Sequence, residues 1–133
     1  MSVWKTISTR ILPVTVATAV LGGTLIAQEP GWVKHVPEAD RTRTNPLVNQ
    51  PDAAEAGQKL YGEKCARCHG AHGEGKGHSP SLQTKKVHDL TAGELEWVID
   101  HGFSFHRMPA FDSLTQDQRW QIVSYVQSLP VSK

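Results

Sequence analysis

The sequence is poor in cysteine, in excess charge and in strand-like patterning, and each shortage removes a class of protein. Only two cysteines occur among the 133 residues, too few for a small disulfide-rich scaffold. Basic side chains outnumber acidic ones by 14 to 13, so the net charge of +1 gives no electrostatic reason to expect a nucleic-acid partner. No stretch alternates apolar and polar residues as a half-buried strand does. The sequence therefore favours one all-α domain with a small core.

The amino-terminal segment, residues 1–27, has the pattern of a targeting sequence. Lys5 and Arg10 are its only charged residues, and residues 11–27 form an uncharged run without an amphipathic stripe. This pattern predicts export, either with a signal peptide that is removed or with a signal-anchor that stays. The candidate cleavage sites are poor and about 17 residues reach the lower limit for crossing a bilayer, which favours retention as a membrane anchor. The expected location is the periplasm or the outer face of the cytoplasmic membrane.

A change of composition separates this segment from the rest of the chain. Residues 28–51 contain four prolines and scattered charge, without a helical or strand period. This composition predicts an extended linker, which would tether a membrane-anchored domain. We therefore divide the chain into a signal peptide or signal-anchor at 1–27, a linker at 28–51 and a folded domain at 52–133.

About three core helices are expected in that domain, each opened by a capping box. The three pairs are Asp52 with Glu55, Thr91 with Glu94, and Thr115 with Gln118. The second helix should end near His101, before Gly102, and the third near Leu129, before Pro130. Residues 70–89 show no period, and so long a loop in a compact domain needs a reason, such as a large cofactor to enclose.

The motif with the clearest chemistry is the C-x-x-C-H run at residues 65–69, at the end of the first predicted helix. The thiols of Cys65 and Cys68, three positions apart, suit thioether bonds to the two vinyl groups of one haem. The imidazole of His69 then suits the proximal side of the iron. The pattern predicts one covalently attached haem c per chain.

Two other uses of the cysteines have weaker support. A zinc site could combine both cysteines with His72 and His78, but the short second half departs from the usual zinc spacings. A thioredoxin-like redox pair would need a βαβ context, which the sequence lacks.

Met108 is the leading candidate for the second axial ligand of the iron, because the only other methionine, Met1, lies in the targeting segment. It stands before Pro109 in an irregular stretch between helices, where a stiff loop can present a thioether. A histidine is the alternative, and His106 is the nearest one in sequence. The other histidines that would have to be considered are His72, His78, His88 and His101.

A series of short motifs resembles a known family. They are Gly57-x-x-x-Tyr61, the C-x-x-C-H run followed by Gly70, Pro80-x-Leu82, Gly93-Glu94-Leu95, Met108-Pro109-Ala110-Phe111, and Leu114-Thr115 before a helix with Tyr125. Over residues 51–130 the chain is similar to bacterial class I (mono-haem) c-type cytochromes. The resemblance implies that the first and last helices cross near Gly57 and Tyr125. It also implies that the carbonyl of Pro80 accepts the ring N–H of His69, which would fix the tautomer.

The expected function is one-electron transfer, in which the iron alternates between ferric and ferrous states. No substrate bond is made or broken, so the chain is not expected to be an enzyme. Its partners would be a donor and an acceptor protein, neither of which the sequence identifies. A haem enzyme or ligand-binding sensor is the alternative from another class, and Met108 argues against its open sixth position. A fixed subunit of a respiratory or dehydrogenase complex would use the same chemistry with a permanent partner.

Overall fold

The computed structural model describes residues 30–132, and within that range it contains helices and no β-strand. The helices are α1 (Glu38–Arg41), α2 (Ala53–Lys64), α3 (Ala66–His69), α4 (Lys85–His88), α5 (Ala92–His101) and α6 (Gln116–Ser128), with 3₁₀ turns at Val33–His35 and Ser104–His106. The all-α expectation is confirmed, and α2, α5 and α6 are the three long helices. None of the described helices is long and apolar enough to span a bilayer, and the predicted anchor at 11–27 lies outside the described residues.

Two of the three predicted capping boxes form, and they set the starts of α5 and α6. The Thr91 hydroxyl accepts the Glu94 N–H at 3.1 Å, and the Glu94 carboxylate accepts the Thr91 N–H at 2.8 Å. Thr115 and Gln118 make the same reciprocal pair ahead of α6. Each box satisfies two backbone N–H groups that a helix start leaves unpaired.

The capping box predicted at Asp52 is wrong, although α2 starts at the next residue. Asp52 has φ −82° and ψ −10°, a helical conformation, and its side chain makes no capping hydrogen bond. An N-cap side chain reaches the first-turn N–H groups from an extended backbone, which Asp52 lacks. Glu55 instead pairs with Lys59 one turn further on, at 3.0 Å between Oε1 and Nζ.

The core lies where α2 crosses α6. Gly57 is buried against the backbone of Gln121, and one turn further along the ring centroids of Tyr61 and Tyr125 are 5.0 Å apart. Trp120 is buried in the same cluster. This is the crossing implied by the resemblance, and it leaves the C-terminal end of α2, where the cysteines follow, fixed against the last helix.

The structure corrects the expected extended linker over its described part, residues 30–51. Val33 and Val36 are buried, and the segment folds back on the domain instead of extending from it. Arg43 Nη1 donates to Glu96 Oε2 at 2.9 Å, and the Thr91 hydroxyl donates to the Arg41 carbonyl at 2.8 Å. These partners are about 50 residues away in sequence, so no local period could have shown that the segment is packed.

Asn45 provides a test of how firmly this segment is bound. Its Nδ2 donates to the Trp120 carbonyl at 3.2 Å and to Ser124 Oγ at 2.8 Å, and its Oδ1 accepts the Leu47 N–H at 2.9 Å. We expect Asn45→Ala to lower the free energy of unfolding by about 1–3 kcal/mol, because buried polar partners lose their hydrogen bonds. Denaturant unfolding followed by circular dichroism measures it, with exposed Asn49→Ala as the control. Equal stability of the two variants would contradict the prediction.

Candidate haem site

The cysteines and the histidine of the C-x-x-C-H motif lie on one short turn. Cys65 joins α2 to α3, and its carbonyl accepts the N–H groups of both Cys68, at 3.0 Å, and His69, at 2.9 Å. Both cysteines are free thiols, Cys65 half-buried and Cys68 exposed. The backbone therefore holds two unpaired thiols and one imidazole within a single helical turn, which is the arrangement that covalent haem attachment needs.

Burial makes the Cys65 thiol a weak acid. Desolvation, with a smaller contribution from the neighbouring Cys68 thiol, raises the pKa of Cys65 to about 11. Burial also raises the pKa of Tyr61 above its usual value, and the Tyr61 hydroxyl donates to the Gly70 carbonyl at 2.8 Å.

The orientation of His69 is set by Pro80. His69 Nδ1 lies 2.9 Å from the Pro80 carbonyl oxygen. Since a carbonyl can only accept, Nδ1 carries the proton and the lone pair is on Nε2. This is the contact that the resemblance implies, and it leaves Nε2 as the nitrogen available to iron.

Backbone hydrogen bonds hold the loop that carries Pro80, and the loop has no regular pattern of apolar residues that would pack it on the core. The Gly75 N–H donates to the His69 carbonyl and the Leu82 N–H to the Gly73 carbonyl, both at 2.7 Å. Glu74 caps the same loop: Oε2 accepts the His72 N–H at 2.7 Å. Hydrogen bonds from backbone N–H groups hold the pKa of Glu74 below its usual value. Such closure explains how the loop keeps a fixed shape although its sequence shows no period.

The alternative zinc set does not assemble in residues 30–132. No group of three or more histidine, cysteine or acidic side chains in that range is arranged to hold a metal ion.

Met108 lies in the loop between α5 and α6. Phe103 and Met108 exchange backbone hydrogen bonds of 2.8 and 3.1 Å, so the loop closes as a small hairpin with a left-handed residue, Arg107, at φ +57°. The half-buried Met108 side chain lines an open cavity of about 610 Å³ together with Trp97 and Pro109. An apolar lining of this kind suits the flat, apolar body of a porphyrin.

The structure brings together some of the predicted site residues but not all of them. His69 meets Pro80, and Met108 meets Phe103, whereas neither His69 nor the two cysteines line the cavity beside Met108.

The clustering of aromatic rings around Met108 was not predicted from the sequence. Trp97 stacks on His101, with ring centroids 4.4 Å apart, and Phe103 tilts against Phe105 at 6.1 Å. The i, i+4 spacing of Trp97 and His101 on α5 was the available signal.

A family model and several known proteins match the chain. The model, described as "Cytochrome C oxidase, cbb3-type, subunit III", matches residues 52–126. Thiosulfate dehydrogenase of Allochromatium vinosum is 32% identical over 92 residues, which cover 63% of this chain and 34% of that protein. Quinohemoprotein alcohol dehydrogenase ADH IIB of Pseudomonas putida is 32% identical over 104 residues, which cover 77% and 14%. The chain thus spans about a third and about a seventh of these relatives.

Two solved cytochrome structures have a similar fold. Cytochrome cL from Methylophaga aminisulfidivorans superposes with a TM-score of 0.59 at 25% identity, over 82% of this chain and 72% of that one. Cytochrome cL from Hyphomicrobium denitrificans gives a TM-score of 0.53 at 23% identity, over 74% and 66%, and supports the fold alone. With the C-x-x-C-H turn and the match over more than half of its length, the chain belongs to this family of cytochrome c domains, and it is a class I c-type cytochrome, an electron-transfer haem protein.

Proposed function

We propose that this cytochrome carries one electron at a time through a single haem c attached to Cys65 and Cys68, with His69 and Met108 as axial ligands. The observation that carries the proposal is the 2.9 Å contact between His69 Nδ1 and the Pro80 carbonyl, because it leaves Nε2 as the nitrogen that would bind the iron. Two free thiols on the same turn fit the two vinyl groups. When bound, the haem supplies an iron that accepts and releases one electron without breaking a substrate bond.

The proposed role of Met108 rests on its position and on its chemistry. It is the one methionine between residues 30 and 132, and its side chain lines the apolar cavity between α5 and the following loop. A thioether is a soft ligand that favours ferrous iron, so a histidine–methionine pair gives a higher potential than two histidines. A closed sixth position also disfavours the alternative of a haem enzyme or ligand sensor. His106 remains the competing ligand.

The ligand assignment has a spectroscopic test. We expect the ferric protein to show the near-infrared sulfur-to-iron charge-transfer band, and Met108→His to abolish it. The same variant should also lower the midpoint potential, because imidazole replaces a thioether. Differences between axial ligands change haem potentials over a range of roughly 0.8 V, and we expect a substantial part of that range. Ser113→Ala, an exposed change in the same loop outside the cavity, is the control and should keep the band. A wild-type protein without the band and with a bis-histidine resonance spectrum would contradict the assignment and favour His106.

The proposed partner is a dehydrogenase that passes electrons to this chain, which would not itself be an enzyme. Both curated relatives named above are dehydrogenases, and this chain corresponds to a minor part of each. The targeting pattern at residues 1–27 supports a location in the periplasm or on the outer face of the cytoplasmic membrane. Purification of the native protein with its neighbours distinguishes a mobile carrier from a fixed subunit of a dehydrogenase or respiratory complex.

A further inference from the structure

A buried carboxylate on α5 joins two arginines that have no part in the haem chemistry described so far. Glu96 is 2% exposed. Its Oε1 accepts a hydrogen bond from Arg119 Nε of α6 at 2.8 Å, and its Oε2 accepts one from Nη1 of Arg43, within residues 30–51, at 2.9 Å. Buried charges need partners on every side, and here each oxygen has its own arginine.

The two arginines differ in what else they contact. Arg119, 8% exposed, also donates from Nη1 to the Leu114 carbonyl at 2.6 Å, and Nη1 lies 3.2 Å from Asp100 Oδ1. Leu114 ends the loop that carries Met108, just before the α6 N-cap. Arg43 instead pairs with Asp40 at 3.3 Å and lies over the Trp120 ring, 5.0 Å from its centroid. Arg119 therefore contacts the Met108 loop, whereas Arg43 contacts Asp40, within residues 30–51, and Trp120 in the core.

The Met108 loop is fixed at both of its ends. At the start, Gly102 has φ +69°, and a Cβ there would come within 2.6 Å of the Met108 carbonyl oxygen. Near the end, the Phe111 N–H donates to the Ile99 carbonyl at 2.9 Å, and the Leu114 N–H to the Phe111 carbonyl at 3.0 Å. Arg119 is the side chain that connects this end to α5.

We propose that Arg119, held by Glu96 and Asp100, is a positioning residue that holds the Met108 loop in the shape in which its thioether would bind the iron. The proposal rests on the proposed function, in which Met108 is the sixth ligand. The guanidinium of Arg119 contacts Glu96 through Nε and both the Leu114 carbonyl and Asp100 through Nη1, and the single nitrogen of a lysine cannot reproduce this two-nitrogen geometry. Loss of this contact leaves the carboxyl end of the loop held by backbone hydrogen bonds alone, and a neutral thioether on the loosened loop is then more easily displaced.

Competition by imidazole measures this displacement in the full-length ferric holoprotein. The variants are Arg119→Gln, Arg119→Lys and, as the matched control, Arg43→Gln, which removes the other partner of Glu96 without touching the loop. The measurements are the imidazole dissociation constant from the optical spectrum, the intensity of the near-infrared band, and the free energy of unfolding by denaturant. We expect Arg119→Gln to tighten imidazole binding about tenfold or more, and Arg43→Gln to change it less than about twofold while lowering stability comparably.

Arg119→Lys keeps a positive charge beside Glu96 but loses the planar guanidinium with its several N–H donors. We therefore expect it to bind imidazole more tightly than the wild type does, with a smaller loss of stability than Arg119→Gln. This variant provides the same comparison if Arg119→Gln does not fold. Equal changes in imidazole binding for the Arg119 and Arg43 variants, in proportion to lost stability, would overturn the positioning role alone. A wild-type protein without the near-infrared band would overturn the Met108 assignment and this proposal with it.

Discussion

A variant with both Cys65→Ala and Cys68→Ala is expected to lose covalent haem completely. The two thiols are the only cysteines in the chain, so no other thioether can form. Loss of the cofactor should also loosen the fold, because the apolar groups that would pack against the haem would then face water. We therefore expect less helical circular dichroism and a broad unfolding transition in place of a cooperative one.

A denaturing gel stained for haem peroxidase activity gives the direct result, since only covalently attached haem stays with the chain. Ala71→Ser, an exposed change two residues beyond the motif, is the control and should keep a stained band. Each single cysteine variant retains one thioether position and should give a weaker band. A band of full intensity from the double variant would show that attachment does not use these cysteines.

The second large effect is expected at Gly57, where α2 meets α6. A Cβ at this position would lie 1.9 Å from the backbone oxygen of Gln121, and a backbone atom within a helix cannot move aside on its own. Gly57→Ala must therefore separate the two helices and disturb the Tyr61–Tyr125 ring contact one turn away. We expect the free energy of unfolding to fall by about 3 kcal/mol or more, at the upper end for overpacking.

Gly62 supplies the matched control on the same helix. A Cβ there meets no atom within 4 Å, so Gly62→Ala should raise stability by up to about 1 kcal/mol through the better helix propensity of alanine. The two substitutions are chemically identical and are expected to have opposite signs in denaturant unfolding. Stabilisation by both would mean that the helices do not cross closely at Gly57.

Features whose partners are close in sequence were predicted well. The capping boxes at Thr91 and Thr115 need only a residue three positions later, and Gly102 ends α5 through its own backbone freedom. The C-x-x-C-H motif is equally local. Asp52 shows the limit of this reasoning, because the spacing to Glu55 was right while the backbone angles that a cap requires were not.

Features that depend on distant partners could not be predicted in this way. Arg43 and Glu96 are 53 residues apart, so the prolines of residues 28–51 predicted a linker where the structure packs residues 30–51 on the domain. Nothing near Arg119 in the sequence indicates its contact with Glu96, which is 23 residues away. The contact between His69 and Pro80 came from resemblance to a family, and not from spacing.

The folding back of the segment around Val33 changes how far the haem domain could travel from a membrane. If residues 11–27 stay in the bilayer, five residues remain before the buried Val33, and fully extended they reach about 18 Å at most. A free chain over the whole of residues 28–51 would reach roughly four to five times farther. The cytochrome would then diffuse in two dimensions at a nearly constant height. Its partners would have to present their redox centres at that short distance from the membrane surface. The rate of encounter would then depend on the density of partners in the membrane plane, and not on the volume that a long flexible linker can reach.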